Sequence, residues 1–167
     1  MEDFLSRLGD TDRVWVYQAE RFLSEQETAI VRQSGLNFTN AWAAHGKKLR
    51  AGVEVLHNLL VVVHVDEEQA KASGCSIDAS VHWITKLGKD LGINFLGRTN
   101  VAYFDAEEYL KVANLNEFEE LINQAEIDEN TRVFNNMAFS GKDVKHAWLL
   151  PVKESWHARY LKVQEIK

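Results

Sequence analysis

Hydrophobic and polar positions alternate clearly at the start of the chain. Residues 13–19 read R-V-W-V-Y-Q-A, with Val14, Val16 and Gln18 on one side of an extended backbone and Trp15, Tyr17 and Ala19 on the other. That pattern predicts a strand apolar on both faces. Ser24-Glu25-Gln26-Glu27 then has the form of a capping box, in which serine hydroxyl and glutamate carboxylate satisfy the free amides of a helix start. Val31, Phe38 and Trp42 follow at helical spacing, so a helix is predicted to run on to Gly46, whose lack of a side chain suits the left-handed residue after a helix. Gly35 lies inside it and should cost about 1 kcal/mol relative to alanine.

Leu49, Ala51, Val53 and Val55 alternate with more polar neighbours, and 59–63 is apolar without a break. Two strands joined by a turn at His57-Asn58 are predicted, the second more deeply buried. From Ile77, apolar residues recur at Val81, Ile84 and Leu91, with Ser73 or Ser76 able to cap the start and Gly92 the end. A helix follows, and 100–104 reads as a further strand.

The resulting order, β-α-β-β-α-β, predicts an α+β fold of ferredoxin-like, split βαβ type: one four-stranded antiparallel sheet with both helices on one face. Further segments are available to cover the other face. Residues 115–125 have helical character, 131–139 reads as strand or loop, and 142–149 as a short helix. No linker or repeat interrupts the chain, and residues 1–167 are expected to form a single globular domain.

Composition sharpens this picture. At 167 residues with 46% hydrophobic content and five tryptophans, the chain has ample material for a core. A net charge of −6 without a Lys/Arg cluster argues against nucleic acid, because backbone affinity comes from cations that displace counterions. No stretch approaches the apolar length of a membrane span, and the acidic start is unlike a signal peptide, so a cytoplasmic protein is expected. The single cysteine, Cys75, agrees with a reducing compartment.

Five stretches, Trp15-Val16-Tyr17-Gln18-Ala19, Trp42-Ala43-Ala44-His45-Gly46, Ala72-Ser73-Gly74-Cys75-Ser76-Ile77-Asp78, Val133-Phe134-Asn135-Asn136 and Ser155-Trp156-His157, together resemble a family of small uncharacterised proteins from Bacteroidota. Members of that family often carry the label ABC transporter ATPase, which implies ATP hydrolysis. A phosphate-binding loop of the form G-x-x-x-x-G-K-[ST] is needed for that chemistry. Gly46-Lys47-Lys48 has Ala41 at the first glycine position and Lys48 in place of the hydroxyl; Gly141-Lys142-Asp143 has Asn136 at the first glycine position. An ATPase of that class is therefore not expected.

Ser73-Gly74-Cys75-Ser76 lies at the predicted start of a helix, where free amides and the helix dipole favour an anion or a thiolate. The plainer expectation is a small buried cysteine packing the first turn while the serines cap it. A nucleophilic cysteine needs a base, and His82 lies about 10.5 Å along the helix, too far to serve. His45 and His157 are the remaining candidates. Asp78-His82 and Asp143-His146 have helical spacing but fit solvated faces, and no zinc-type spacing is present. In the tail, Trp156-His157-Ala158-Arg159 brings together a ring, a titratable group and a fixed cation. It reads either as an anchor for the chain or as a source of Arg159 and His157 for an anion held at Ser73–Ser76, with Lys47 or Arg50 assisting.

Three functional expectations follow. The leading one is a non-catalytic domain that binds a small anionic ligand or a partner through Ser73, Gly74, Cys75, Ser76, His157 and Arg159, together with His45. The second is an enzyme with Cys75 as nucleophile and His45 or His157 as base. The third is a structural module that self-associates through open sheet edges. No cofactor is indicated.

Overall fold

Strand predictions at both ends of the first hairpin hold, but the strands distribute over more than one sheet. The computed structural model describes residues 2–68 and 70–165. Its elements in chain order are α1 (Glu2–Arg7), β1 (Arg13–Gln18), α2 (Glu25–Ala41), β2 (Ala43–Ala44), β3 (Lys47–Lys48), β4 (Arg50–Leu56), β5 (Leu60–Asp66) and α3 (Gly74–Leu91). They continue with β6 (Asn100–Phe104), β7 (Leu110–Asn114), α4 (Leu115–Asn123), β8 (Arg132–Phe134), α5 (Gly141–His146), β9 (Leu149–Pro151) and two 3₁₀ segments, Val152–Glu154 and Trp156–Glu165. The architecture is α+β. Among the described residues no helix is long and apolar enough to cross a membrane.

The chain divides into two compact units, the first formed by Met1–Gly97 with Met137–Lys145 and the second by Arg98–Asn136 with His146–Lys167. The β-α-β-β-α-β order exists along the chain, yet the expected ferredoxin-like sheet is replaced. Residues 100–104 pair with β7 and β8, not with the strands at 13–18 and 60–66. The reason is local. A five-residue connection, 105–109, lets β6 form a hairpin with β7 at small loop-closure cost, and the run L-K-V-A-N of β7 has too little apolar alternation to be recognised beforehand.

In the first unit the sheet order is β1-β5-β4, all antiparallel. β5 is central, and its residues Leu60–Val63 and Val65 are fully buried, each stabilising the fold by about 1.5–3 kcal/mol. His57 and Asn58 both have positive φ, 54° and 51°, as primed hairpin turns require, and Leu59 N–H donates to Leu56 O. One face, carrying Trp15, Val63 and Val53 in a row, lies under α2 and α3. Gly35 explains itself here. A Cβ at that position would sit 2.7 Å from Val53 Cβ, so glycine lets α2 lie close on β4. Trp83 Nε1 donates to Ser34 Oγ at 2.9 Å, and Phe38 stacks on Trp83, joining the two helices.

α2 ends at Ala41, ahead of the predicted terminus at Gly46. Trp42 leaves the helix because its indole N–H donates to Ser76 O at 2.8 Å, a tertiary bond that ties it to the first turn of α3. His45 (φ 51°) and Gly46 (φ 77°) form the two-residue turn between β2 and β3, so Gly46 serves a hairpin and not a helix terminus.

The opposite face of the sheet carries the row Val14, His64, Gly52 and, beside it, Asp66 and Arg50. α1 places its buried Phe4 against it, at 5.8 Å between the ring centres of Phe4 and His64. Residues 139–141 return to this unit: Val14 N–H donates to Phe139 O, Arg13 bridges to Ser140, and Gly141 N–H donates to Asp12 O.

The second unit has an antiparallel sheet of order β7-β6-β8-β9. Its core comprises Val101, Tyr103, Ala113, Phe118, Ile122, Ile127, Val133 and Val152, with α4 held by an Asn114/Glu117 capping box. Tyr160 and Leu161 of the tail pack against the same core.

Candidate functional site

The capping serines of the predicted anion site are occupied with each other. Ser73 Oγ accepts from Ser76 N–H, and Ser76 Oγ accepts from Ser73 N–H at 2.7 Å and donates to Ser73 O. Ser76 is the buried member of the turn, while Gly74 and Cys75 face solvent. The expectation of a packed cysteine is thus reversed, because the inward-facing position of this turn falls one residue later, on Ser76. His45 is exposed in its hairpin turn, and among the described residues no hydrogen bond joins Cys75 to a histidine. Lys47 is exposed in β3 and Arg50 exposed at the start of β4, where it pairs with Asp66.

His157 and Arg159 belong to the second unit. His157 is 1% exposed, lies 3.9 Å ring to ring from Trp156 and 5.6 Å from Phe118, and shares a 3.0 Å hydrogen bond between Nδ1 and Ser155 Oγ. Ser155 Oγ donates to Val152 O and accepts from His157 N–H, so the ring donates from Nδ1. Burial, reinforced by the Arg159 charge, pushes its pKa down to about 4. Arg159 spreads over Trp156 and Tyr160 at 4.7 and 5.0 Å and donates to the Tyr160 hydroxyl. These contacts match the anchoring alternative for the tail. Asp143 accepts from Ser140 Oγ and from the backbone of Phe139 and Ser140, capping α5, and those bonds hold its carboxyl below the usual range.

A different cluster in the first unit combines cleft, burial and titratable groups. Arg7, Gly9, Thr11, Asp12, Arg50, Ala51, His64, Asp66 and Glu68 line a cavity of about 400 Å³. Asp12 is 8% exposed and accepts from Gly9 N–H at 3.0 Å. His64 Nδ1 is buried without a hydrogen-bond partner and stands 3.7 Å from Asp12 Oδ2, close enough for charge attraction and too long for a hydrogen bond. Burial pushes the His64 pKa down, Asp12 and Glu54 oppose that, and Arg7 adds to it. The other ring nitrogen faces Gly52, where a Cβ would lie 2.4 Å from Nε2. Arg7 bonds to Asp3 and Glu54, and Arg50 to Asp66 at 3.1 Å.

Sequence reasoning passed over this cluster because His64 sits at the end of an apolar run that reads simply as a buried strand. Two signs were present. A histidine interrupts that run, and a lone glycine at 52 inside an alternating strand marks a close approach. Their pairing across β4 and β5 depends on register, which follows from the turn at 57–58. No protein-family model, no curated protein and no solved structure matches the chain.

Proposed function

We propose that the first unit is a cytoplasmic, non-catalytic binding domain for a small polar ligand that carries an anionic group, seated in the cleft over His64. The observation that carries this reading is the orphaned Nδ1 of His64 beside the buried Asp12 carboxylate, in the wall of a cleft flanked by two arginines. An unsatisfied buried nitrogen costs about 1–3 kcal/mol, and a cluster that tolerates such a cost while keeping glycine beneath the ring suits a site tuned for something other than stability. The volume lies within the range of about 300–1,000 Å³ typical of small-ligand pockets. The arginines are exposed, their present ion pairs are each worth only about 0–1 kcal/mol, and both can exchange a carboxylate partner for a ligand anion. ATP hydrolysis is not part of this reading, since Gly46 lies in a hairpin turn and Lys47 opens β3, with no strand-to-helix loop there.

The test is amide chemical-shift mapping with inorganic phosphate, acetate and free amino acids at millimolar concentration. Perturbations should centre on Gly9, Thr11, Ala51 and Gly52 and vanish in Arg50→Gln. Perturbations confined to Gly74–Ile77 would return the anion to the start of α3, and the absence of any at either place would reject a small-ligand domain of this kind.

A further inference from the structure

Resting on that reading of the cleft, we infer that its ligand class is the free α-amino acid, with the carboxylate held by Arg50 and Arg7 and the ammonium held by His64 Nε2 and the neighbouring carboxylates. Charge is the first argument. The lining contributes two guanidinium groups and three carboxylates, those of Asp12, Asp66 and Glu68. A simple anion entering there meets a net negative wall, and a simple cation leaves the arginines to their present partners. A ligand that carries an ammonium and a carboxylate on one carbon satisfies both sets, because each of its ends meets the opposite sign.

The second argument is the orientation of His64. Its Nδ1 faces Asp12 Oδ2, so a proton on that nitrogen is favoured and Nε2 is left as a bare acceptor, the tautomer logic by which one ring nitrogen sets the role of the other. Nε2 is the nitrogen above Gly52, where glycine makes room for the ring itself, since a Cβ there would lie 2.4 Å from Nε2. An ammonium has three donors and no acceptor. It can give one to Nε2 and the remainder to carboxylate oxygens, whereas a hydroxyl or an amide supplies fewer donors and no charge. A carboxylate in turn matches the planar fork of an arginine, which a single lysine would not do as well.

The third argument is positional. Arg50 and Asp66 are directly paired across β4 and β5, and His64 and Gly52 form the row next along the same face. Opposite charges and the imidazole therefore sit on one rigid surface of the sheet, where a short zwitterion can span them without any change in backbone.

Isothermal titration calorimetry on the full chain with alanine, propionate and alaninamide tests the assignment, followed by the same measurement over the other free amino acids. At least one free amino acid should bind at least ten-fold more tightly than its deaminated acid and its amide. Its binding should weaken at least ten-fold in Arg50→Gln and in His64→Phe, with the thermal transition of Arg50→Gln retained as evidence of folding. If phosphate or propionate perturbs the cleft as strongly as any amino acid does, the amino-acid assignment is overturned while the cleft remains a ligand site. If none of these compounds perturbs the cleft amides, both readings fall together.

Discussion

A buried and a half-buried histidine occupy very different settings, one in each unit. His157 is sealed in an aromatic core, its Nδ1 satisfied by Ser155 and its ring held against Trp156 and Phe118. His64 borders a cleft, its Nδ1 lacks a hydrogen-bond partner, and the carboxylate nearest to it stands 3.7 Å away. Burial lowers the pKa of both. The comparison teaches that burial and a lowered pKa do not by themselves mark a site. What separates the two is the state of Nδ1: a histidine whose buried Nδ1 is hydrogen-bonded contributes to stability, and one whose buried Nδ1 is left short beside a cavity is available to a guest.

The largest expected effect comes from deleting each ring in turn. His157→Ala should lose about 2–4 kcal/mol in urea unfolding, because it opens a cavity between two aromatic rings and removes the Nδ1 bond to Ser155. His64→Leu should change stability by less than about 1 kcal/mol or raise it, since it removes an unsatisfied nitrogen along with the ring. Equal losses from both substitutions would erase the distinction.

Acid titration sharpens the comparison next. In the unfolded chain His157 titrates near its ordinary 6.5 and in the folded protein at about 4, so the unfolded state binds the proton first as pH falls. Its contribution is therefore complete above pH 6.5 and is lost between 6.5 and about 4, a decline of about 3 kcal/mol. His157→Phe should flatten that slope in pH-dependent urea midpoints. A slope unchanged by the substitution would mean that the ring is not the group being protonated.

Gly52→Ala should cost about 1–3 kcal/mol, since the added methyl must push the His64 ring off the strand beneath it. The imidazole resonances of His64 should shift while those of His157 stay in place. Unshifted His64 resonances would place the ring elsewhere. The smallest effect is expected at Cys75. Because Cys75 is exposed, it should be labelled by a maleimide in the native protein without unfolding, and Cys75→Ser should alter stability by no more than about 0.5 kcal/mol.

Local chemistry was legible in the chain wherever short-range physics decides. The Ser24/Glu27 capping box, the His57-Asn58 turn, the serines before α3 and the left-handed Gly92 all appear where side-chain hydrogen bonds or positive φ require them. Legibility ended where a distant partner intervened. Trp42 continues the apolar spacing of α2 and is nevertheless withdrawn by Ser76 O, which turns residues 43–48 into a hairpin. Residues 100–104 make a good strand for any sheet, and only the weakly patterned neighbour at 110–114 decides which. The Asp12–His64 cluster was the least legible part, because it joins the turn after α1 to a buried strand more than fifty residues away.

The return of residues 139–141 to the edge of β1 has a consequence for synthesis. A ribosome delivering this chain releases β1, β4 and β5 long before Phe139, Ser140 and Gly141 emerge, and until then the outer edge of β1 lacks the backbone partners that later cover its start. An uncovered strand edge is a template for pairing with another chain. Gly141 must also reach a slot in which a Cβ would collide with Gly9 O, so the late segment has little freedom in how it docks. Crowded polysomes should therefore be the setting in which this protein is most prone to aggregate, with the danger passing once the segment that closes the edge has left the exit tunnel.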